Sequence, residues 1–117
     1  MSRDEQVIIG SGNVFADLGL SNPEERLAKA KIAMVIELVI DASGLTQAEA
    51  AARIGIAQPD ISNIVRGRLK GFTFDRLLQS LMALDQNIRI VVEPKDSVGE
   101  PAHMEVEYDR HGELAAA

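Results

Sequence analysis

Cysteine is absent from this chain of 117 residues, which excludes disulfides and thiolate metal sites. Aromatic residues are scarce, at 3%, while apolar residues reach 46%. A core must then be built from Leu, Ile, Val, Ala and Met, a palette suited to packed helices. No run approaches the ~18 apolar residues of a membrane span. Acids come early at the N-terminus with no long apolar stretch, so no signal peptide is expected. The expectation is one small domain in a soluble, cytoplasmic protein that meets no membrane. Glycine-rich phosphate loops are missing too: Gly10-Ser11-Gly12-Asn13 lacks the lysine and the preceding buried strand. His103 and His111 have no cysteine and no fitted carboxylate set near them in sequence, so neither a metal nor another cofactor is expected. The acid pairs Asp4-Glu5 and Glu24-Glu25 sit where helices start, and capping accounts for them. Nothing suggests a catalytic pocket, and an enzyme is not expected.

Positive charge is also in short supply, with a net charge of −6, but its distribution is uneven. Residues 1–44 balance at −3, residues 45–76 at +2 and residues 77–117 at −5. The single positive stretch owes most of its charge to Arg66, Arg68 and Lys70. Binding to a polyanion depends on local cations rather than on the total, so such a patch can serve despite the acidic remainder. Taken alone, three cations in a loop read better as solvated surface; the neighbouring motif is what favours the polyanion reading.

Caps and periodicity divide the chain. Asn13 can cap a short helical turn over residues 14–18, stopped by Gly19. Asn22 as N-cap, Pro23 at N1 and Glu25 at N3 make a strong start for a helix running to about Ser43, with Gly44 as its stop. Its second half is apolar on most sides, as in a helix central to a core or covered by a partner. Thr46 and Glu49 form an S/T-x-x-E box opening a short alanine-rich helix over residues 47–54. Ala51 is small where a second helix must come close. Gly55 stands four residues on, where a left-handed backbone is cheap only for glycine. Ile56 opens the turn as an apolar plug. A further short helix begins near Gln58, with Pro59 suited to N1. Ile61 and Ile64 form its inner face, and Gly67 ends it. After the basic loop RLKGF, Thr73 caps a helix over residues 74–84 with Phe74, Leu77, Leu78, Leu81 and Leu84 as its buried stripe.

Residues 88–93, IRIVVE, switch to a period of two: Ile88, Ile90 and Val92 alternate with Arg89, Val91 and Glu93, a half-buried strand ended by Pro94. Backbone groups of a lone strand need a partner. Pairing with the same strand of a second copy would supply one. So would an intramolecular hairpin with the weak strands at residues 6–9 or 104–108. Beyond Pro94 the chain is acidic and expected to be mostly flexible. The division is an arm over residues 1–21, a domain with its strand over 22–94 and a tail over 95–117. No internal repeat is visible.

The stretch LTQAEAAARIGIAQPDISNIVRG looks like a helix-turn-helix. Through Thr46-Gln47, Ala51-Ala52, Gly55-Ile56, Gln58, Ile61-Ser62, Ile64 and Gly67 it resembles the lambda-repressor/Cro-like, or XRE, family of bacterial regulators. With flanking helices the likeness covers roughly residues 22–85. More narrowly, GNVFADLGLSNPEERLAKAKIA and GFTFDRLLQSLMALDQNIRIVVEP are similar to HigA-type antitoxins, which repress their own operon and bind a toxin.

The resemblance implies a mainly all-α, lambda-repressor-like bundle; to it the lone strand adds a short C-terminal β-strand expected to dimerise through Ile88, Ile90 and Val92 together with the preceding helix. By the same resemblance, Gln47 matches the glutamine that anchors to a backbone phosphate, beside free amides at that helix N-terminus. Gln58, Pro59, Asp60, Ser62 and Asn63 occupy positions that read base edges. Gln58 and Asn63 suit adenine N6 and N7, and Pro59 offers an apolar contact to a thymine methyl. Asp60 departs from the pattern. Either it accepts from cytosine N4 or orients an arginine, or it offsets the helix dipole. Arg66, Arg68 and Lys70 are assigned to phosphates, with Arg68 also a candidate probe of the minor groove. The expected partners are an operator in double-stranded DNA, a second copy of the chain and, as an alternative function, a small basic toxin protein.

Overall fold

The computed structural model describes residues 23–95 and 98–109. Four helices follow one another: α1 (Pro23–Ala42), α2 (Gln47–Ile54), α3 (Gln58–Val65) and α4 (Phe74–Ala83). They lie where caps and periodicity place them. The Asn22 cap, the helical turn at 14–18, the weak strand at 6–9, His111 and the last residues of the tail lie outside the described residues.

Helix α1 is the central beam. Ala28, Ile32, Ala33, Ile36, Val39 and Ile40 are buried at spacings of three and four, the period that keeps one helical face inward. Both α3 and α4 pack against that face, and α2 closes the bundle by packing on α3 and α4. Ile61 and Ile64 enter from α3, Leu77 and Leu81 from α4, with Leu84 just beyond it, and Ala50 and Ala51 from α2. Ile36, Ile61 and Leu77 lose all solvent contact, so truncating any of them to alanine removes about 2–5 kcal/mol of stability. Another apolar stripe of α1 stays outside the packing of the described residues: Leu27, Met34 and Leu38, spaced seven and four apart, stand 55%, 61% and 42% exposed. On the first two turns, Glu25 and Lys29 form an i, i+4 ion pair at 3.6 Å.

Every helix stops the same way. Past α3, Gly67 turns left-handed at φ 77°, its N–H donates to the Ile64 carbonyl at 3.0 Å and the Arg68 N–H donates to the Asn63 carbonyl at 2.8 Å. Those two bonds satisfy carbonyls that the helix end would otherwise orphan. Past α2, Gly55 at φ 89° lets the Ile56 N–H reach the Ala51 carbonyl at 3.0 Å. The ends of α1 and α4 repeat this closure, and at α4 the left-handed residue is Asp85, φ 67°, not a glycine. Asp tolerates that region better than most side-chain-bearing residues but still carries strain there.

Among the described residues no strand is formed. Ile88 leans on the core, while Ile90 and Val92, on the same parity, are 68% and 92% exposed. The backbone of 88–93 therefore has no ladder partner within the described chain, and 104–108 does not supply one. The latter segment instead shows a period of two of its own. Met104, Val106 and Tyr108 are half-buried, and Glu105 and Glu107 face out. Val106 and Tyr108 pack on the core, and the Met104 N–H donates to Glu24 Oε1 at 3.3 Å. Three alternating apolar residues thus seat a stretch whose acidity suggested a flexible tail.

Candidate nucleic-acid interface

The α2–turn–α3 unit is assembled by local bonds before packing acts on it. At the start of α2, Thr46 Oγ1 accepts from the Glu49 N–H at 3.0 Å, and Glu49 Oε1 accepts from the Thr46 N–H at 2.8 Å. This reciprocal box fixes the first turn and leaves Gln47 at its head, half-buried beside the positive end of the helix. Ala50 and Ala51 then let α3 approach closely. Ile56 packs against the core from the turn, as an apolar plug should.

Helix α3 has no side-chain cap, because Ala57 precedes it, and Pro59 lies in its first turn. Its orientation is set by Ile61 and Ile64, both buried. At 100° per residue, Pro59, Ser62, Asn63 and Arg66 fall within roughly 50° of the direction opposite those two isoleucines. Gln58 and Asp60 lie on the flanks. Gln58 and Pro59 are exposed, and Asp60, Ser62 and Asn63 are partly so. Asp60 sits at the third helical position, where a carboxylate complements the free amides and the dipole. The structure therefore gathers all five sequence-derived base readers on one short helix but gives them unequal outlooks.

The loop from α3 to α4 alternates anchors with cations. Leu69 and Phe72 pack into the core, and the Phe72 N–H donates to the Leu69 carbonyl at 3.0 Å. Arg66, Arg68 and Lys70 are left exposed. None of the three pairs with a described carboxylate; the ion pairs among the described residues that lie elsewhere include Glu25–Lys29 and Arg53–Asp85. Three cations thus project from a loop held at both ends, continuous with the outward face of α3. Such an arrangement can receive an anion without first ordering a floppy segment.

One further cation escapes sequence reasoning. Thr73 Oγ1 accepts from the Arg76 N–H at 3.1 Å, and the Arg76 guanidinium lies 4.8 Å from the centroid of the Phe72 ring. The i, i+4 spacing of Phe72 and Arg76 is the only sequence signal for the pair. On the far side of α4, Lys29 lies 5.6 Å from the Phe74 ring centroid, in a pairing of α1 with α4.

No group of His, Asp and Glu among the described residues is arranged to hold a metal ion. No helix there is long and apolar enough to cross a membrane.

A family model described as a helix-turn-helix domain matches residues 14–93. A solved structure named "Putative XRE Family Transcriptional Regulator" superposes with a TM-score of 0.69 at 41% sequence identity, covering 73% of this chain and 96% of that one. No curated protein matches.

Proposed function

The chain belongs to the XRE-type helix-turn-helix regulators, and from that membership we propose that it binds its own operator in the cytoplasm and represses its own transcription. The observation that carries this reading is the α3 face. Pro59, Ser62, Asn63 and Arg66 point away from Ile61 and Ile64, beside a pinned loop whose cations are not engaged by described acids.

In this reading α3 enters the major groove. Gln58 and Asn63 read adenines, Ser62 contacts a neighbouring base edge and Pro59 meets a thymine methyl. Gln47 and the start of α2 hold a phosphate on one side, and Arg66, Arg68 and Lys70 hold phosphates on the other. Asp60 serves chiefly to offset the α3 dipole, since its flank position takes it off the outward face. The domain is the unit over residues 22–94, with the arm and the acidic tail attached.

The operator is palindromic because the protein is a two-fold dimer. Ile90, Val91 and Val92 stand exposed in sequence, next to Ile88 on the core. Pairing 88–93 with the same segment of a second copy would bury those side chains and satisfy the backbone. Two α3 helices would then reach major grooves about 34 Å apart.

A second reading rests on a different surface. Leu27, Met34 and Leu38 form an exposed apolar stripe on α1, and residues 77–117 carry a balance of −5. An antitoxin whose acidic part embraces a small basic toxin would use both.

The first experiment titrates the protein with the duplex from immediately upstream of its gene and with a scrambled duplex, at two salt concentrations. Selective, salt-sensitive binding supports the regulator. Equal affinity for both duplexes refutes base reading by α3. Gln58→Ala and Asn63→Ala should each cost roughly 1–3 kcal/mol at a single base pair. Arg66→Ala should weaken binding to every sequence and flatten the salt slope.

A further inference from the structure

We propose that Arg76 is an additional phosphate-binding cation, presented by the face of Phe72; this rests on the DNA-binding reading above. The Phe72 ring is fixed, because only 6% of the residue is exposed and it belongs to the core cluster. Its exposed face carries the Arg76 guanidinium at 4.8 Å, within the range of a cation–π contact. The backbone beneath Arg76 is held as well, by the Thr73 hydroxyl that accepts its N–H. An arginine on a surface helix normally spreads over many rotamers, and ordering it on binding costs conformational entropy. Here the stack has already spent most of that freedom in the folded protein.

An arginine that meets a ring through the flat face of its guanidinium keeps its in-plane N–H groups for phosphate oxygens, and a 4.8 Å approach to the Phe72 centroid admits that geometry. The local field favours such a ligand: between Ile61 and Leu84 the only acid is Asp75, against Arg66, Arg68, Lys70 and Arg76. Arg76 has no ion pair with a described carboxylate. Phe72, two residues beyond Lys70, carries the fourth cation, and Arg66 to Arg76 span eleven residues of chain.

The competing possibility is that Arg76 only shields Phe72, and two variants separate the roles. Arg76→Met keeps an unbranched apolar chain over the ring and removes the charge, while Arg76→Lys restores the charge without the planar fork. Each is titrated with a mixed-sequence duplex two to three helical turns long across a salt series, and melted alone. Arg76→Met should weaken low-salt binding several-fold and reduce the slope of log K against log salt by about 0.9 per protomer, with an unchanged melting temperature. Arg76→Lys should regain the slope but not the full affinity. A lowered melting temperature with an unchanged salt slope would overturn the proposal and leave Arg76 as a packing residue. Failure of the wild-type protein to bind any duplex would overturn the DNA-binding reading first, and this inference with it.

Discussion

Ala51 joins the fold to the proposed function, and replacing it by leucine tests that junction. It is 3% exposed within the core cluster, and its carbonyl accepts from both Gly55 at 2.8 Å and Ile56 at 3.0 Å. Leucine would add three carbons on the side of α2 that receives α3. If room existed, burial would return about 0.8 kcal/mol per carbon. A close-packed contact has no such room, and overpacking costs about 1–3 kcal/mol instead. For a domain of this size each kcal/mol moves the melting temperature by about 4–8 °C, so a loss near 2 kcal/mol lowers it by about 8–16 °C. The added side chain also pushes α3 outward relative to α2. Selectivity for the upstream duplex should therefore fall at temperatures where the variant is still fully folded. Circular dichroism melts and duplex titrations read the two effects separately. Ala52→Leu, one residue on and exposed, is the control and should change stability by less than about 0.5 kcal/mol. If Ala51→Leu melts like the wild type and keeps its selectivity, α2 and α3 are not in close contact at this point and the account of the motif is wrong.

Other consequences are open to the same assays. Asp85→Gly should raise stability by about 0.5–1 kcal/mol, since it relieves a left-handed backbone; its ion pair with Arg53, at 3.9 Å and 87% exposed, adds little to offset that, so Asp85→Asn should be nearly silent. Gly55→Ala should go the opposite way, losing about 1–2 kcal/mol by backbone strain alone, because a methyl there meets nothing within 4 Å. A stabilised Gly55→Ala variant would contradict the left-handed turn. Thr46→Ala removes the hydroxyl that accepts from the Glu49 N–H and should cost about 0.5–2 kcal/mol, whereas Glu49→Gln preserves the geometry and should melt close to the wild type.

Acidity and DNA binding coexist here because the cations are grouped. The basic loop is anchored by Leu69 and Phe72, and the outward acids Glu105 and Glu107 belong to a segment whose Met104 N–H donates to Glu24 at the start of α1. Screening shortens their influence to about 10 Å at moderate salt. The acidic part should therefore weaken non-specific association more than a docked complex.

Much of this protein is legible in its sequence, for a definable reason. Helix starts and stops depend on bonds between residues three to five apart. Thr46 with Glu49, Thr73 with Arg76, and the glycines after α2 and α3 can therefore be read without the fold. The inward faces of α3 and α4 follow from spacing alone, and so does the gathering of the five candidate base readers on α3. Tertiary structure decided what depends on distant partners. It chose which side of α1 enters the core and left Leu27, Met34 and Leu38 outside. It also seated Val106 and Tyr108 against helices more than twenty residues away in sequence. The loop became a fixed platform because Leu69 and Phe72 found places in the core, and a loop sequence does not reveal whether such places exist. Packing also set the Arg76 guanidinium against that buried ring. Local hydrogen bonds carry their own address in the sequence, whereas burial is a property of the whole packed bundle.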